Sequence, residues 1–301
     1  MRKLLLIGLV GFAAQLIDGA LGMGYGVTSS SLLLVVGLTP ALASASVHLA
    51  EVGTNVASGL SHWRLGNVDW RLVLRLGVPG AIGAFAGATF LSRLSTEWAG
   101  PLMAVILALL GVYILGRFAF RPPRVADARR TPHTSRFLVP LGLFGGFVDA
   151  TGGGGWGPVS TTSLLSAGRT APRTVIGSVD TSEFLVSLSA SVGFLAALGA
   201  SGIDLRIVGV LLLGGLVAAP LAAWLVTRLP ARVLGTAVGG LIIVTNLRTV
   251  LGAVGSPVDV QWASLGLVAL LWAALVGHSV VQHRRHGAPV VRRPEPLEVP
   301  A

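Results

Sequence analysis

The chain has 301 residues, of which 53% are hydrophobic and only 11% are Asp, Glu, Lys or Arg. Soluble domains carry about 25% charged residues to cover their surface, so a soluble globular fold is excluded. The 22 basic residues against 12 acidic ones give a net charge of +10. All of them except Lys3 are arginines, and they lie between apolar stretches rather than on one soluble face or helix. That distribution excludes a nucleic-acid binder and fits arginines touching the anionic headgroups of a lipid bilayer. With no cysteine, disulfides and thiolate chemistry are excluded as well.

In chain order, apolar segments cover 4–20, 25–38, 40–61, 71–92 and 98–117, then 137–149, 156–168, 172–199, 205–227 and 231–252, with a last span over 260–281. A crossing needs about 20 residues. The first two segments of each group of five are short for that, and a glycine-rich run separates them: Gly22-Met-Gly-Tyr-Gly26 in the first group and Gly152 to Gly157 in the second. Each pair is expected to be a helical hairpin or two half-helices.

The two groups are copies. Gly11-Phe-Ala-Ala-Gln-Leu-Ile-Asp18 matches Gly142-Leu-Phe-Gly-Gly-Phe-Val-Asp149, Pro40 matches Pro172, and Ser46-Val-His-Leu-Ala-Glu51 matches Ser178-Val-Asp-Thr-Ser-Glu183. Asp69-Trp-Arg71 matches Asp204-Leu-Arg206 further on. The basic start Met1-Arg-Lys could pass for a signal peptide. Because the same pattern returns internally, it is read as part of the first copy. The expected fold is an all-α polytopic membrane protein: a first repeat (1–118), an Arg-rich linker (119–135), a second repeat (136–253), a final helix (254–283) and a tail (284–301).

An odd number of crossings in one repeat inverts the next. With the N-terminus outside, the loop holding Arg64 and Arg71, the linker, the loop holding Arg169 and Arg173, the loop holding Arg228 and Arg232, and the tail all face the cytoplasm. The 253–260 loop, which has no basic residue, faces outward. The positive-inside rule therefore favours inverted repeats with a cytoplasmic C-terminus in a plasma or inner membrane. Trp63, Trp70, Trp98 and Trp262 near the span ends fit an interfacial belt.

Five acids fall inside apolar segments: Asp18, Glu51, Asp149, Asp180 and Glu183. At roughly 2.5–3.5 kcal/mol per ionised side chain, five would cost on the order of 15 kcal/mol to insert. Protonation, pairing or a wet cavity must offset much of that. His48 and Glu51 share a helix face, as do Asp180 and Glu183. Ser44, Thr54, Asn55 and Ser58 extend the first face; Thr181, Ser182, Ser187 and Ser191 extend the second. Such a stripe lines either a helix interface or a pathway. Asp18, His48, Glu51, Asp149, Asp180 and Glu183 are the candidates for proton coupling.

The glycine runs lack the strand and βαβ setting of a dinucleotide site. Broken helices at mid-membrane expose backbone N–H groups and positive dipole ends that bind anions. Gly22, Gly24, Gly26, Gly153, Gly154 and Gly155, with the hydroxyls of Thr28, Ser29, Ser160 and Thr161, are the candidate ligands of one shared substrate site. Close helix packing is the competing explanation of the same glycines. Arg248, near Asn246, either snorkels to the outer interface or faces the substrate.

At these residues the sequence resembles the TauE/SafE sulfite-exporter family of bacterial membrane permeases. The likeness rests on Asp18-Gly-Ala-Leu-Gly-Met-Gly-Tyr-Gly26, Gly37-Leu-Thr-Pro40, Gly152 to Pro158 and Ala171-Pro172, and covers the chain to about residue 252. The first run departs from the family's usual triple glycine at Ala20 and Met23. The resemblance implies transport, in the export direction, of small sulfur oxyanions or organosulfonates.

Without a Walker A motif the chain has no ATPase of its own, so the proton gradient is the expected energy source. No His-Glu-x-x-His, no cysteine and no His/Asp set around a serine marks an enzyme, and no cofactor is called for. The resulting expectation is a secondary transporter of a small anion. A passive anion channel and an uptake permease for a small carboxylate are the alternatives. Oligomeric state is left open.

Overall fold

The computed structural model describes residues 2–21, 23–120, 133–167, 169–199, 203–225 and 230–286. Among these residues there are helices and no strand. The first half holds α1 (Arg2–Leu21), α2 (Tyr25–Val35), α3 (Pro40–Arg64), α4 (Trp70–Arg93) and α5 (Thr96–Phe120). The second holds α6 (Ser135–Gly152), a π-helical turn (Gly157–Thr161) running into α7 (Thr162–Ala167), then α8 (Pro172–Leu198), α9 (Leu205–Leu225) and α10 (Ala231–Ala253). The last helix is α11 (Val258–His286). Gly22, most of the linker and the tail beyond residue 286 lie outside the described residues.

Local chemistry sets the helix starts. Pro40 and Pro172 open α3 and α8, where a missing N–H costs nothing. Asp69 caps α4 by accepting from the N–H groups of Arg71 and Leu72, and Asp204 accepts from that of Arg206 before α9. The main difference from expectation lies at the paired segments. α1 (20 residues) matches the expected segment 4–20 to within two residues at each end, whereas α6 (18 residues) runs on past Asp149, where the apolar segment ends, to Gly152. α2 has 11 residues, which at 1.5 Å per residue reach about half of a 30 Å core. Each pair is thus a long helix joined to a half-helix.

Among the described residues, five helices are long and apolar enough to cross a membrane: Trp70–Arg93, Thr96–Phe120, Arg173–Leu198, Ala231–Ala253 and Val258–Arg284. α3 is equally long at 25 residues but carries the polar stripe. Its Ser44, Ser46, His48, Glu51 and Asn55 are buried against other helices.

Packing between the halves is reciprocal. In α1 against α9, Gly11 faces the Leu211 carbonyl and Gly214 faces that of Gly8. In α6 against α4, Gly142 faces the Leu76 carbonyl and Gly146 that of Gly80. A Cβ at any of these four would overlap the facing backbone, so small residues let the helices approach closely. Gly8 also meets Val210 while Gly214 meets Phe12, so contacts rise together in sequence, which makes α1 parallel to α9, and the α6 contacts make it parallel to α4. α4 also runs parallel to α8, with Gly77 against Ser182 and Gly193 against Ala88. α3 and α8 are antiparallel, since Glu51 meets Ser187 while Ser58 meets Asp180. α5 and α10 are antiparallel too, with Gly111 against Ile242 and Phe118 against Gly235. Trp156, Phe194, Leu33, Leu76 and Met103 are fully buried between these layers.

Candidate functional site: two glycine joints and an acidic centre

Each joint is tied by its own aspartate. The Tyr25 N–H, first in α2, donates to Asp18 Oδ1 at 3.2 Å, and the Trp156 N–H donates to Asp149 Oδ1 at 2.9 Å. Both ties span seven residues. Gly153, at φ 70°, ends α6 in the left-handed conformation that glycine adopts without penalty, and its N–H and that of Gly154 both donate to the Asp149 carbonyl. Asp18 and Asp149 therefore hold the half-helices in place, a role nearer to N-caps than to free carboxylates.

The joints touch. A Cβ on Gly26 would stand 2.7 Å from Gly154 Cα and 3.1 Å from Glu51 Oε1. A Cβ on Gly154 would fall on Val27 N and the Gly26 backbone. Ser30 Oγ donates to the Gly153 carbonyl across the same contact. Close packing accordingly explains the glycine at 26, 153 and 154. It does not explain Gly24, whose nearest neighbour to an added Cβ is 3.7 Å away; there the φ of 111° is the reason.

Beside the joints lie buried hydroxyls. Thr28, Ser29 and Ser160 are at most 1% exposed and have no hydrogen-bond partner among the described residues. Thr161 is buried next to them. Ser29 and Ser160 hold the same place after Asp18 and Asp149. The Tyr25 hydroxyl is a fourth such group, near Ser29 but outside hydrogen-bond geometry. Leaving a buried hydroxyl unpaired costs about 1–3 kcal/mol, which makes these hydroxyls candidate ligand contacts. Tyr25 and Trp156 are equivalent residues, and they stand over Gly215 and Gly80 respectively. The Trp156 Nε1–H is satisfied by the Val179 carbonyl at 3.1 Å; the Tyr25 hydroxyl is not satisfied.

The acids converge on the same centre. His48 Nδ1 faces the Ser44 carbonyl at 2.8 Å, so it carries a hydrogen, and Nε2 faces Asp149 Oδ2 at 3.0 Å. That contact holds one shared proton, as imidazolium with carboxylate or imidazole with carboxylic acid. Glu51, 2% exposed, accepts from Ser187 Oγ at 3.2 Å, and Asn55 donates to Ser187 in turn. Asp180 accepts from Ser58 Oγ at 2.6 Å and lies 3.9 Å from His62 Nε2. Asp180 acts electrostatically on Asp18, and Glu183 feels Glu51, Asp149, Asp18 and Asp180. Asp180 and His48 are equivalent in sequence, so one half sets a histidine against its joint aspartate and the other sets an acid. No Arg or Lys among the described residues acts on these acids. Two like charges about 8 Å apart at an effective dielectric of about 20 repel by about 2 kcal/mol.

The seam between α3 and α8 is open at one end only. Asp180 and His62 are 21% and 27% exposed, whereas Ser44, His48 and Phe194 at the other end are fully buried. Sequence reading gave no role to Tyr25 or His62. His62 continues the stripe of Glu51, Asn55 and Ser58 at helical spacing, which is the signal that could have found it. Arg248 sits over the Trp262 ring at 5.2 Å, away from the centre, so it takes the interfacial role. Trp63, Trp70, Trp98 and Trp262 are all exposed, as a belt requires.

A helical bundle with apolar spanning helices, two broken helices meeting at its middle and ionisable residues sealed inside is a membrane transporter. The chain belongs to the TauE/SafE sulfite exporter family, whose sequence model, described as "Sulfite exporter TauE/SafE", matches residues 7–249. It is 51% identical over 251 residues to the "Probable membrane transporter protein YtnM" of Bacillus subtilis (strain 168), covering 83% of this chain and 84% of that one. It is 30% identical over 247 residues to a "Probable membrane transporter protein" of Xylella fastidiosa (strain Temecula1), covering 79% and 89%. A second Bacillus subtilis protein, "Probable membrane transporter protein YdhB", is 28% identical over 147 residues, covering 49% of this chain and 59% of that one. No solved structure matches the chain.

Proposed function

We propose that the chain is a proton-coupled secondary transporter that exports a small anion such as sulfite, an organosulfonate or another sulfur oxyanion. The observation that carries this reading is the contact of the two glycine joints, flanked by fully buried hydroxyls without partners. Hydroxyl donors and helix N-termini recognise oxyanions through hydrogen bonds and oriented dipoles. Gly24, Gly26, Gly153, Gly154, Gly155, Thr28, Ser29, Ser160 and Thr161 are the proposed substrate site. Glu51 and Glu183 are the proposed proton carriers, with Asp180 and His62 on the open side of the seam.

Inverted repeats are the proposed architecture. The reciprocal packing of α1 on α9 and α6 on α4 supports them. Short loops reverse α3 into α4 and α8 into α9, and with α4 parallel to α8 this sets α1 antiparallel to α6. The open end of the seam lies where α3 finishes, beside Arg64, the side assigned to the cytoplasm. Rocking of one half against the other around the joints would then expose the site alternately. Proteoliposomes supplied with sulfite, thiosulfate, sulfoacetate and small carboxylates test the reading. Saturable uptake and counterflow of a sulfur oxyanion are expected; flux that is linear in concentration would instead indicate a pore, and preference for a carboxylate would replace the substrate class.

A further inference from the structure

The geometry points to a site that binds its anion and its protons together, so that the anion is carried with protons rather than exchanged for them. This rests on the anion-site reading above and fixes the sign of its coupling: an inward proton gradient then acts to draw the anion in, so export through such a site would run on the anion's own gradient and the membrane potential. The hydroxyls of Tyr25, Thr28, Ser29 and Ser160 are each more than nine-tenths buried and unpartnered, and they belong to the half-helices that leave the two joints, with that of Ser160 towards Gly145 of α6 and that of Tyr25 towards Gly215 of α9. An anion placed there needs a countercharge. The titratable groups that face the centre are Asp18 from α1, Tyr25 from α2, His48 and Glu51 from α3, Asp149 from α6, and Asp180 and Glu183 from α8, with His62 at the seam's open end. Five carboxylates thus stand against two imidazoles, of which His48 is already committed to Asp149 and His62 lies 3.9 Å from Asp180. With the acids ionised, the centre repels any anion in a setting where water screens little.

Glu51 is the acid best placed to relieve this. Its Oε1 lies at the contact of Gly26 with Gly154, while Oε2 is held by Ser187. A proton on Glu51 removes a negative charge from beside the hydroxyls and adds an O–H donor for the anion. Glu183, half-buried and exposed to the field of the other four acids, is the second place where a proton lowers the repulsion. Exchange would require the reverse, an anion that settles in as protons leave and five carboxylates regain their charge. Linkage makes the effect mutual: each ligand strengthens binding of the other by the same factor.

The test uses the purified full-length protein titrated with methanesulfonate and with thiosulfate, whose own charges stay constant near neutral pH. Affinity is expected to tighten by roughly tenfold from about pH 8 to about pH 6, with protons taken up from a weakly buffered solution on binding. Glu51→Gln should bind the anion with a flatter pH profile and smaller proton uptake, and Glu183→Gln supplies the same measurement should the first variant not fold. Affinity that is flat or weakens as pH falls, or proton release on binding, overturns the proposal while leaving the anion site standing. Binding of neither anion at any pH overturns the site reading, and the coupling with it.

Discussion

A hydroxyl in the protein interior with neither donor nor acceptor opposite it is a net cost to folding, and Ser29 and Ser160 are two such groups at equivalent places. Removing one should leave folding intact while weakening the ligand. Ser29→Ala is expected to keep or slightly raise the melting temperature and to lower anion affinity about tenfold, the worth of roughly 1.4 kcal/mol for a hydrogen bond to a charged group. Melting and binding measured on one preparation decide this; a lowered melting temperature with normal affinity would make the hydroxyl structural. Gly154→Ala should lower both melting temperature and affinity, because its Cβ falls on the backbone of Gly26 and Val27 and must push the joints apart. Gly24→Ala meets only ordinary van der Waals contact, 3.7 Å from Ile17, so its cost is confined to backbone strain of about 1–3 kcal/mol. The glycines and hydroxyls of the site were legible in sequence because they follow the joints in both copies. Tyr25 was not, since an aromatic in an apolar stretch reads as core, and only the unsatisfied hydroxyl sets it apart from Trp156.

At the scale of elements, the question is what holds a half-helix whose start is buried. The joint aspartates do, and they do it with unequal surroundings. Asp18 accepts one N–H, whereas Asp149 accepts that of Trp156 and also pairs with the buried His48. Asp149→Ala is therefore expected to cost about 3–5 kcal/mol, because it strands an imidazole in the interior. Asp18→Ala should cost about 1 kcal/mol, the worth of a cap. Asp149→Asn keeps an acceptor for Trp156 and should recover most of the loss. Thermal unfolding in detergent checks the order, and equal losses at 18 and 149 would remove the ion pair from the account. Helix positions followed from hydropathy, while Pro40, Asp69, Pro172 and Asp204, legible only as matches between the copies, proved to stand at helix starts. The reach of α6 past Asp149 did not follow, because an aspartate in an apolar run reads as an end until its carboxylate is seen serving the next helix. The α3–α8 seam was legible as two polar stripes, but not their antiparallel register, which depends on which partners the two helices find.

At the scale of the whole molecule, duplication in the sequence told more than any single motif, since it paired Asp18 with Asp149 and Glu51 with Glu183 before any coordinates. It could not tell that the halves interlock, with the first helix of each lying on the fourth helix of the other. That follows from matched glycines at 11 and 142, each pressed against a carbonyl of the opposite half. α11 has no counterpart in either copy; it lies along α10, joined by the Thr236–Ser279 hydroxyl contact at 3.1 Å and by Trp272 over Gly240. The interlock constrains topology. In the proposed architecture α6 and its half-helix return the chain to the side it left and α8, α9 and α10 then cross three times, which would put Thr134 and Ser256 on opposite faces. The absence of native cysteine makes the measurement direct. Ser256→Cys in intact cells should react with a membrane-impermeant maleimide, and Thr134→Cys should react only after the membrane is opened. Labelling of both from the same side would mean that α6 and α7 together make one crossing, which removes the inversion of the repeats and the shared site built on it.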